Sequence, residues 1–351
     1  MNELERMLAD SASRLFADAV TPARIDAMEH GLWPAELWDQ VEASGLTRLF
    51  VPEADEGAQA SWTEGLPVLL AGANAPAPFL DTAVAGWVLN RLGVAMPGGP
   101  IGLADLAAPV SACLHDDGWA LDGAVAVPWG RYVGHVLIRA IDAETKAPLW
   151  LLAATGAAAV ETGVNLANEP RDRLTFQRVP DSAAVRGDPA GWPAAPQALG
   201  ALTRAIGIAG LLERILNQTV QYANERTQFG RPIGKFQAVQ QQLAILANET
   251  VAARMAVASA CAAVDAGDWT QAAMVAKVIC GQSAGRAAAI AHQVHGAIGF
   301  THEHSLHQST RRVWAWRAEC GTEAYWAAEI GRRAIARGGD ALWADLTAAA
   351  A

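Results

Sequence analysis

The chain has 351 residues, 52% of them hydrophobic and 18% charged, with a formal net charge of −10. That composition excludes a disordered or fibrous chain and leaves room for two or three domains with sizeable cores. The acidic balance excludes a general nucleic-acid binder, although a local basic cluster can still hold a small phosphorylated ligand.

Taken in chain order, the N-terminus MNELERMLADSASRLF is charged and amphipathic. It lacks the basic start, apolar run and cleavage site of a secretory signal. Residues 1–98 read as a helical domain. Leu4, Met7, Leu8, Ala12 and Leu15 recur at helical spacing on one face. GLWPAELWDQVEASG predicts a second helix with Pro34 in its first turn and Gly45 at its end. Further helical segments follow, broken by Ala-Pro-Ala-Pro at 75–78. Over 99–190 the runs HVLIRAI and PLWLLAA, punctuated by Gly118, Gly123 and Gly130, predict a small β domain. DPAGWPAAP at 188–196 is a linker.

From 197 to 351 the chain is alanine-rich and helical. Ile208, Leu211, Leu212, Ile215, Thr219 and Tyr222 share one helix face. Val239, Leu243, Leu246, Thr250, Ala253, Val257, Ala260 and Val264 advance in steps of three and four without a break. Such a seam marks a long helix in a near-parallel bundle. A third helix is expected over 269–294 and a fourth helical region over 304–336. Apolar stretches are interrupted before about 18 residues, so no membrane span is expected. Cys113, Cys261, Cys280 and Cys320 show no CxxC spacing. They read as reduced thiols of a cytoplasmic protein.

Two turns carry candidate chemistry. Between the first two bundle helices stands YANERTQFGRPIGKFQAVQ, with Arg226, Arg231 and Lys235 in ten residues. Arginine grips phosphate through two parallel hydrogen bonds. After the third helix stands QVHGAIGFT, whose glycines let backbone N–H groups approach a ligand.

The first segment is similar to the flavin signature of the acyl-CoA dehydrogenase family, Arg-x-Gln-Phe-Gly-x-Pro-Ile-x-x-Phe-Gln. QVHGAIGFTHEHSLHQSTRR resembles the family's second signature, Gln-x-x-Gly-Gly-x-Gly-Phe followed by a helix with Arg. The resemblance is strong over 197–325 and faint before it. It implies a mostly α fold, with a helical N-domain, a β-barrel-like middle domain and a C-terminal four-helix bundle. It also implies FAD, an acyl-CoA substrate and electron-transfer flavoprotein or a similar acceptor. On that basis Arg226, Gln228 and Phe229 contact the FAD of a neighbouring subunit. Gln293, Gly296 and Ala297 line the other side of the site, so that two turns from adjoining protomers clasp the pyrophosphate. Ala297 stands where the family has a second glycine. Thr322 matches the family's flavin-contacting Gly-Thr.

The resemblance also marks departures. The family's base is the Glu of Glu-Gly-Thr, where this chain has Cys320; the alternative position on the first bundle helix is Gly200. Glu319, one residue away, is the remaining candidate base; otherwise it is a helix-end carboxylate paired with Arg317 or another cation. In the β domain, Ala126-Val127-Pro128-Trp129 replaces the family's stretch beside the flavin, and Trp129 either stacks on the ring or packs in the core. These departures set two readings side by side. One is a dehydrogenase using Glu319. The other is a non-catalytic subunit that completes the FAD sites of an α2β2 assembly with a paralogous chain. A homo-oligomer or such a heterotetramer is expected. His292, His295, His302, His304 and His307 read as surface or interface histidines rather than a metal site. Trp314, Trp316 and Trp326 read as core or as pocket lining, and Arg311 and Arg312 as phosphate contacts or a solvated face. A purely helical scaffold is the unrelated alternative; it does not require the two Gly/Arg/Gln turns.

Overall fold

The computed structural model describes residues 3–52, 59–193 and 195–348. Their contacts divide the chain into two compact units, Met1–Val68 with Ala75–Gly200, and Leu69–Asn74 with Ala201–Ala351.

The first unit begins with α1 (Glu3–Ala19), whose Ala12, Phe16 and Ala19 are buried. The buried stripe is rotated from the expected one, for Met7 is 62% exposed. A short α2 (Pro22–Glu29) follows that the periodicity did not disclose. It starts on Thr21, whose hydroxyl accepts from Arg24 N, with Pro22 in the first turn. In α3 (Ala35–Ala43) Leu37, Trp38 and Val41 face inward, and Gly45 at φ +75° ends the segment. Pro34 stands just before the helix, not inside it. Helices α4 (Trp62–Gly72) and α5 (Phe79–Arg91) flank the Ala-Pro-Ala-Pro break, and α5 is buried on all sides.

Strands β1 (Ile101–Leu103) to β9 (Ala184–Arg186) make the middle region. β2 (Ser111–His115), β3 (Gly118–Asp122), β5 (His135–Asp142) and β6 (Pro148–Ala154) join β1 and β9 in a six-stranded sheet. β4 (Val125–Pro128), β8 (Arg171–Thr175) and β7 (Ala159–Glu161) form a separate three-stranded sheet. Among the described residues no ladder closes the two into a barrel. Their shared core contains Val136, Ile138, Leu149, Leu151, Leu174 and Trp129. Trp129 is 3% exposed and at φ +62°, so of its two expected roles the core is the one observed.

The second unit is helical: α6 (Gln197–Glu225), which begins in the first unit, then α7 (Gln237–Ala266), α8 (Thr270–His295), α9 (Leu306–Ala318), α10 (Glu323–Arg337) and α11 (Gly339–Ala348). The predicted α7 seam is the buried one, with Leu246, Thr250, Ala253, Val257, Ala260 and Val264 inside. Gly210 of α6 lies where any Cβ would collide with Leu70 O, so only glycine allows the approach. The fourth helical region holds two helices, α9 and α10. Between α9 and α10 the chain takes left-handed conformations at Cys320, φ +55°, and Gly321, φ +90°.

Candidate functional site at two ends of the helical bundle

In a bundle that runs up and down, the α6–α7 and α8–α9 connections emerge at one end, and the α9–α10 connection at the other. Two contacts fix the antiparallel register of α6 and α9. Gln218 Nε2 donates to Ser305 Oγ at 2.9 Å, and Arg204 Nε donates to Glu319 Oε2 at 2.7 Å. The two ends are therefore about 20 Å apart, the length of α9 at 1.5 Å per residue.

At the loop end, Thr227–Gln228 (β10) pairs with Arg231–Pro232 (β11) in a two-residue hairpin. Its central residues, Phe229 at φ +51° and Gly230 at φ +78°, make the turn type that needs two left-handed residues. A phenylalanine in that conformation is strained, and its ring is 92% exposed. Arg226 and Gln228 are exposed beside it. Among the described residues no ion pair forms to Arg226, Arg231 or Lys235; Arg231 lies 4.3 Å above the Phe236 ring.

The second turn packs directly against this hairpin. Val294 joins Ala223 and Ile233 in one small apolar cluster, and Tyr222 Oη donates to His295 O at 3.2 Å. The two signatures, expected to face each other from adjoining protomers, thus lie side by side in one chain, because both connections leave the bundle at the same end. Gln293, Gly296 and Ala297 are exposed. Gly296 sits at φ +65°, ψ −144°, a conformation open to glycine alone. A Cβ at Gly299 would lie 2.9 Å from His295 Cβ and 3.3 Å from His292 Nδ1, so these two histidines brace the turn from below. His295 stacks on Tyr222 at 4.4 Å and meets His304 at 4.6 Å. Its Nδ1 donates to Ala291 O at 2.7 Å, which leaves Nε2 as a buried acceptor with no partner. Burial pushes the His295 ring down to about 4 and lowers His292 and His304 as well, so the cluster is neutral at pH 7. No group of three or more metal-ligating side chains forms among the described residues.

The turn end is closed upon itself. Glu319 pairs with Arg204; their side chains are 19% and 4% exposed. Arg317 pairs instead with Glu323, which holds that carboxyl below the usual range. Lys277, fully buried in α8, donates to Arg317 O at 2.7 Å, and burial lowers its amine to about 8. Trp326 Nε1 donates to Cys320 O at 2.9 Å. Trp316 lies between the guanidiniums of Arg204 and Arg312, at 5.7 and 5.6 Å. Arg312 is 2% exposed and reaches Ala73 O at 3.5 Å, so it is neither a solvated face nor a surface phosphate contact. Thr322 is the N-cap of α10, accepting from Tyr325 N at 3.3 Å. The bundle therefore brings Arg226, Gln228, Phe229, Gln293, Gly296 and Ala297 together and keeps Glu319, Cys320 and Thr322 apart from them. Sequence reasoning missed Arg204 and Lys277. The available signal was a cation inside each of two apolar helical runs, LTRAIGIAGLL and AAMVAKVICG.

A bundle with a glycine-bearing, cationic loop end, preceded by helices and a small β region, is the arrangement that the sequence resemblance implies for a flavoprotein dehydrogenase. Residues 2–94 match the family model for the acyl-CoA dehydrogenase N-terminal domain and residues 190–335 that for the C-terminal domain. The chain is 31% identical to acyl-CoA dehydrogenase IpdE2 of Mycobacterium tuberculosis, over 89% of this chain and 91% of that protein. It belongs to the acyl-CoA dehydrogenase family, whose members are flavin-dependent oxidoreductases acting on acyl-CoA thioesters. Among solved structures it resembles the ChsE4-ChsE5 complex from Mycobacterium tuberculosis, with a TM-score of 0.83, 24% identity and coverage of 95% and 97% of the two chains. It also resembles the Tcur3481-Tcur3483 steroid ACAD, in its G363A variant, with a TM-score of 0.83, 26% identity and coverage of 96% and 99%.

Proposed function

We propose that this chain is one subunit of a heteromeric, FAD-dependent acyl-CoA dehydrogenase, and that the catalytic base belongs to a paralogous partner. One observation carries the reading: Glu319, the nearest carboxylate to the family's base position, is held by the buried Arg204 at 2.7 Å, and the position itself is Cys320. A carboxylate tied to a guanidinium is a weak base, because proton uptake leaves the buried cation without its counter-charge. The alternative position, Gly200, has no side chain.

The loop end fits a dinucleotide. Three cations without an ion-pair partner among the described residues, an exposed aromatic on a strained turn and a glycine-only conformation are of little use to the fold. Arg226 and Gln228 would hold the pyrophosphate, Phe229 would cover a ring face, and Gln293, Gly296 and Ala297 would approach through side chain and backbone. FAD, when bound, accepts the hydride lost from the substrate Cβ and passes the electrons to electron-transfer flavoprotein or a similar acceptor. The protein must supply a carboxylate for the Cα proton and hydrogen bonds that polarise the thioester carbonyl. This chain's share is to complete the flavin site across the interface. Two of its structural neighbours, ChsE4-ChsE5 and Tcur3481-Tcur3483, carry two-chain names and are covered almost completely, which supports a partnership of this kind.

The test is co-expression. The chain is produced alone and with a paralogous chain that carries an intact Glu-Gly-Thr, and bound FAD and acyl-CoA oxidation are measured. Flavin and activity are expected only in the pair, with Glu319→Gln leaving turnover within about twofold. Full activity of the lone chain that disappears in Glu319→Gln overturns the proposal and makes Glu319 the base.

A further inference from the structure

Between the loop end and the turn end, one face of α6 meets one face of α9. Gly210, Arg214 and Gln218 follow one another in steps of four on α6, and Ser305, Ser309 and Arg312 in steps of four and three on α9. Each set therefore forms one stripe. The stripes face each other. Gln218 Nε2 donates to Ser305 Oγ at 2.9 Å. Further along, burial and then the charge of Arg312 lower the pKa of the Arg214 guanidinium. Residues 70–73 close the same face. A Cβ on Gly210 would collide with Leu70 O and Ala73 Cβ, and Arg312 Nη1 donates to Ala73 O at 3.5 Å.

Arg214 stands midway along this strip. Its Nε is buried without a hydrogen-bond partner, and no carboxylate pairs with it among the described residues. Its neighbour Glu213 is committed to Arg254. The Ser309 hydroxyl, on a residue 1% exposed, also has no partner. Nor has the Nδ2 amide of Asn74, which follows Ala73. The strip thus holds one fixed cation and two further groups able to donate, and neither stripe carries an acidic side chain. Water can satisfy a hydroxyl or an amide, but a charge taken out of solvent calls for a counter-charge. The nearby Arg312 adds like-charge repulsion and sharpens that demand. Size follows from the packing. The Gly210 contact and the Gln218–Ser305 bond are eight residues apart on α6, about 12 Å, so the occupant between them is small. Arg214 keeps partial exposure, which leaves an ion a way in.

We infer that Arg214, with Ser309 and Asn74, forms an internal site for a small monovalent anion, a halide or a small carboxylate, that ties α6 to α9. The test is a melting series on the full chain at fixed ionic strength, with gluconate, too large to enter, replaced stepwise by chloride or by acetate. An ion bound by the native state alone raises the melting temperature as its concentration passes the dissociation constant. A rise of about 3–6 °C by about 0.2 M is expected with at least one of the two ions, and the ion that gives it identifies the source. Arg214→Met keeps the apolar stem and removes the buried charge. It should melt in gluconate at or above the wild-type temperature and lose the rise. Ser309→Ala leaves the cation in place and should weaken the same ion about 3- to 10-fold. Equal melting temperatures in gluconate, chloride and acetate overturn the site. So does a rise that Arg214→Met retains, which puts the ion elsewhere. If chloride is the active ion, crystals soaked in bromide should show an anomalous peak beside Arg214 and Ser309, and its absence there overturns the assignment.

Discussion

At the loop end of the bundle, Arg226, Arg231 and Lys235 make no ion pair among the described residues, Phe229 stands 92% exposed and Gly296 holds a conformation no other residue tolerates. At the turn end, about 20 Å away by helix length, Arg204 is matched to Glu319, Arg317 to Glu323, Lys277 to a backbone carbonyl and Trp326 to Cys320 O. Both ends carry cations, strained backbone and aromatic rings. They differ in where the partners come from. Strain persists only when something repays it, and at the loop end nothing among the described residues does. At the turn end the chain satisfies its own groups, and a site so satisfied has little to offer a substrate. On the proposed reading, that contrast assigns flavin binding to the loop end and leaves proton abstraction to the partner chain.

The largest expected effect breaks the closed end. Glu319→Gln leaves the Arg204 guanidinium, whose side chain is 4% exposed, without its counter-charge. The cost is about 3–5 kcal/mol of stability, measured by chemical denaturation, while activity of the assembled complex stays within about twofold. Arg204→Met with Glu319→Leu should recover most of that loss, since replacing a buried pair by apolar groups is close to neutral. A double variant as unstable as the single one would mean that the turn end depends on charge and is not merely filled by it.

Much of this contrast was legible in the sequence on one side only. The loop end announced itself because its residues break the helical pattern: glycines, a proline and clustered cations have no role in a seam. The family resemblance then gave each of them a role. The α7 seam was equally plain, for its steps of three and four have one physical reading. The turn end was not legible, because its partners are distant in sequence. Arg204 and Glu319 are 115 residues apart, and only the antiparallel register of α6 and α9 joins them. The sequence leaves Glu319 open to Arg317 or another cation; its own extended backbone, φ −73° and ψ 149°, takes it off the end of α9, where it meets Arg204. Short α2 escaped because eight residues give too little periodicity, although Thr21 and Pro22 mark its start.

The next effect sharpens the open end. Arg226→Ala should weaken FAD retention by about 30- to 100-fold, from the loss of about 2–3 kcal/mol of charge-assisted hydrogen bonding. Because Arg226 is exposed and makes no ion pair among the described residues, thermal stability without flavin should be unchanged. Equilibrium dialysis and melting curves together check this, and a destabilised flavin-free protein would show that the loop end serves the fold.

A pH series divides the two ends further. The His295 ring has its ordinary value of 6.5 lowered to about 4 by burial. Between these values the native state binds fewer protons than the unfolded chain, so stability rises with pH across that window. The contribution is complete above about pH 6.5 and is lost progressively as the pH falls towards 4, to a total of about 2–3 kcal/mol. His295→Phe keeps the stack on Tyr222 and should flatten this dependence, read from denaturation midpoints between pH 4 and 7. Lys277, lowered to about 8, titrates above the window, and the depressed Glu323 carboxyl makes the turn end lose stability only towards the acid limit of the same series.

The smallest effect tests whether the turn end retains any chemical demand on its own residue. Cys320 occupies φ +55°, where a side chain costs about 1 kcal/mol relative to glycine. Its backbone carbonyl, not its thiol, accepts from Trp326, so Cys320→Gly keeps that bond. If the thiol has no part in the reaction, relief of backbone strain, less the extra freedom glycine gives the unfolded chain, nets a gain of a few tenths of a kcal/mol to 1 kcal/mol, with unchanged turnover in the assembled complex. A gain in stability accompanied by a fall in turnover would have the opposite meaning: the strained conformation would be maintained for the thiol, and the closed end would still be taking part in the reaction.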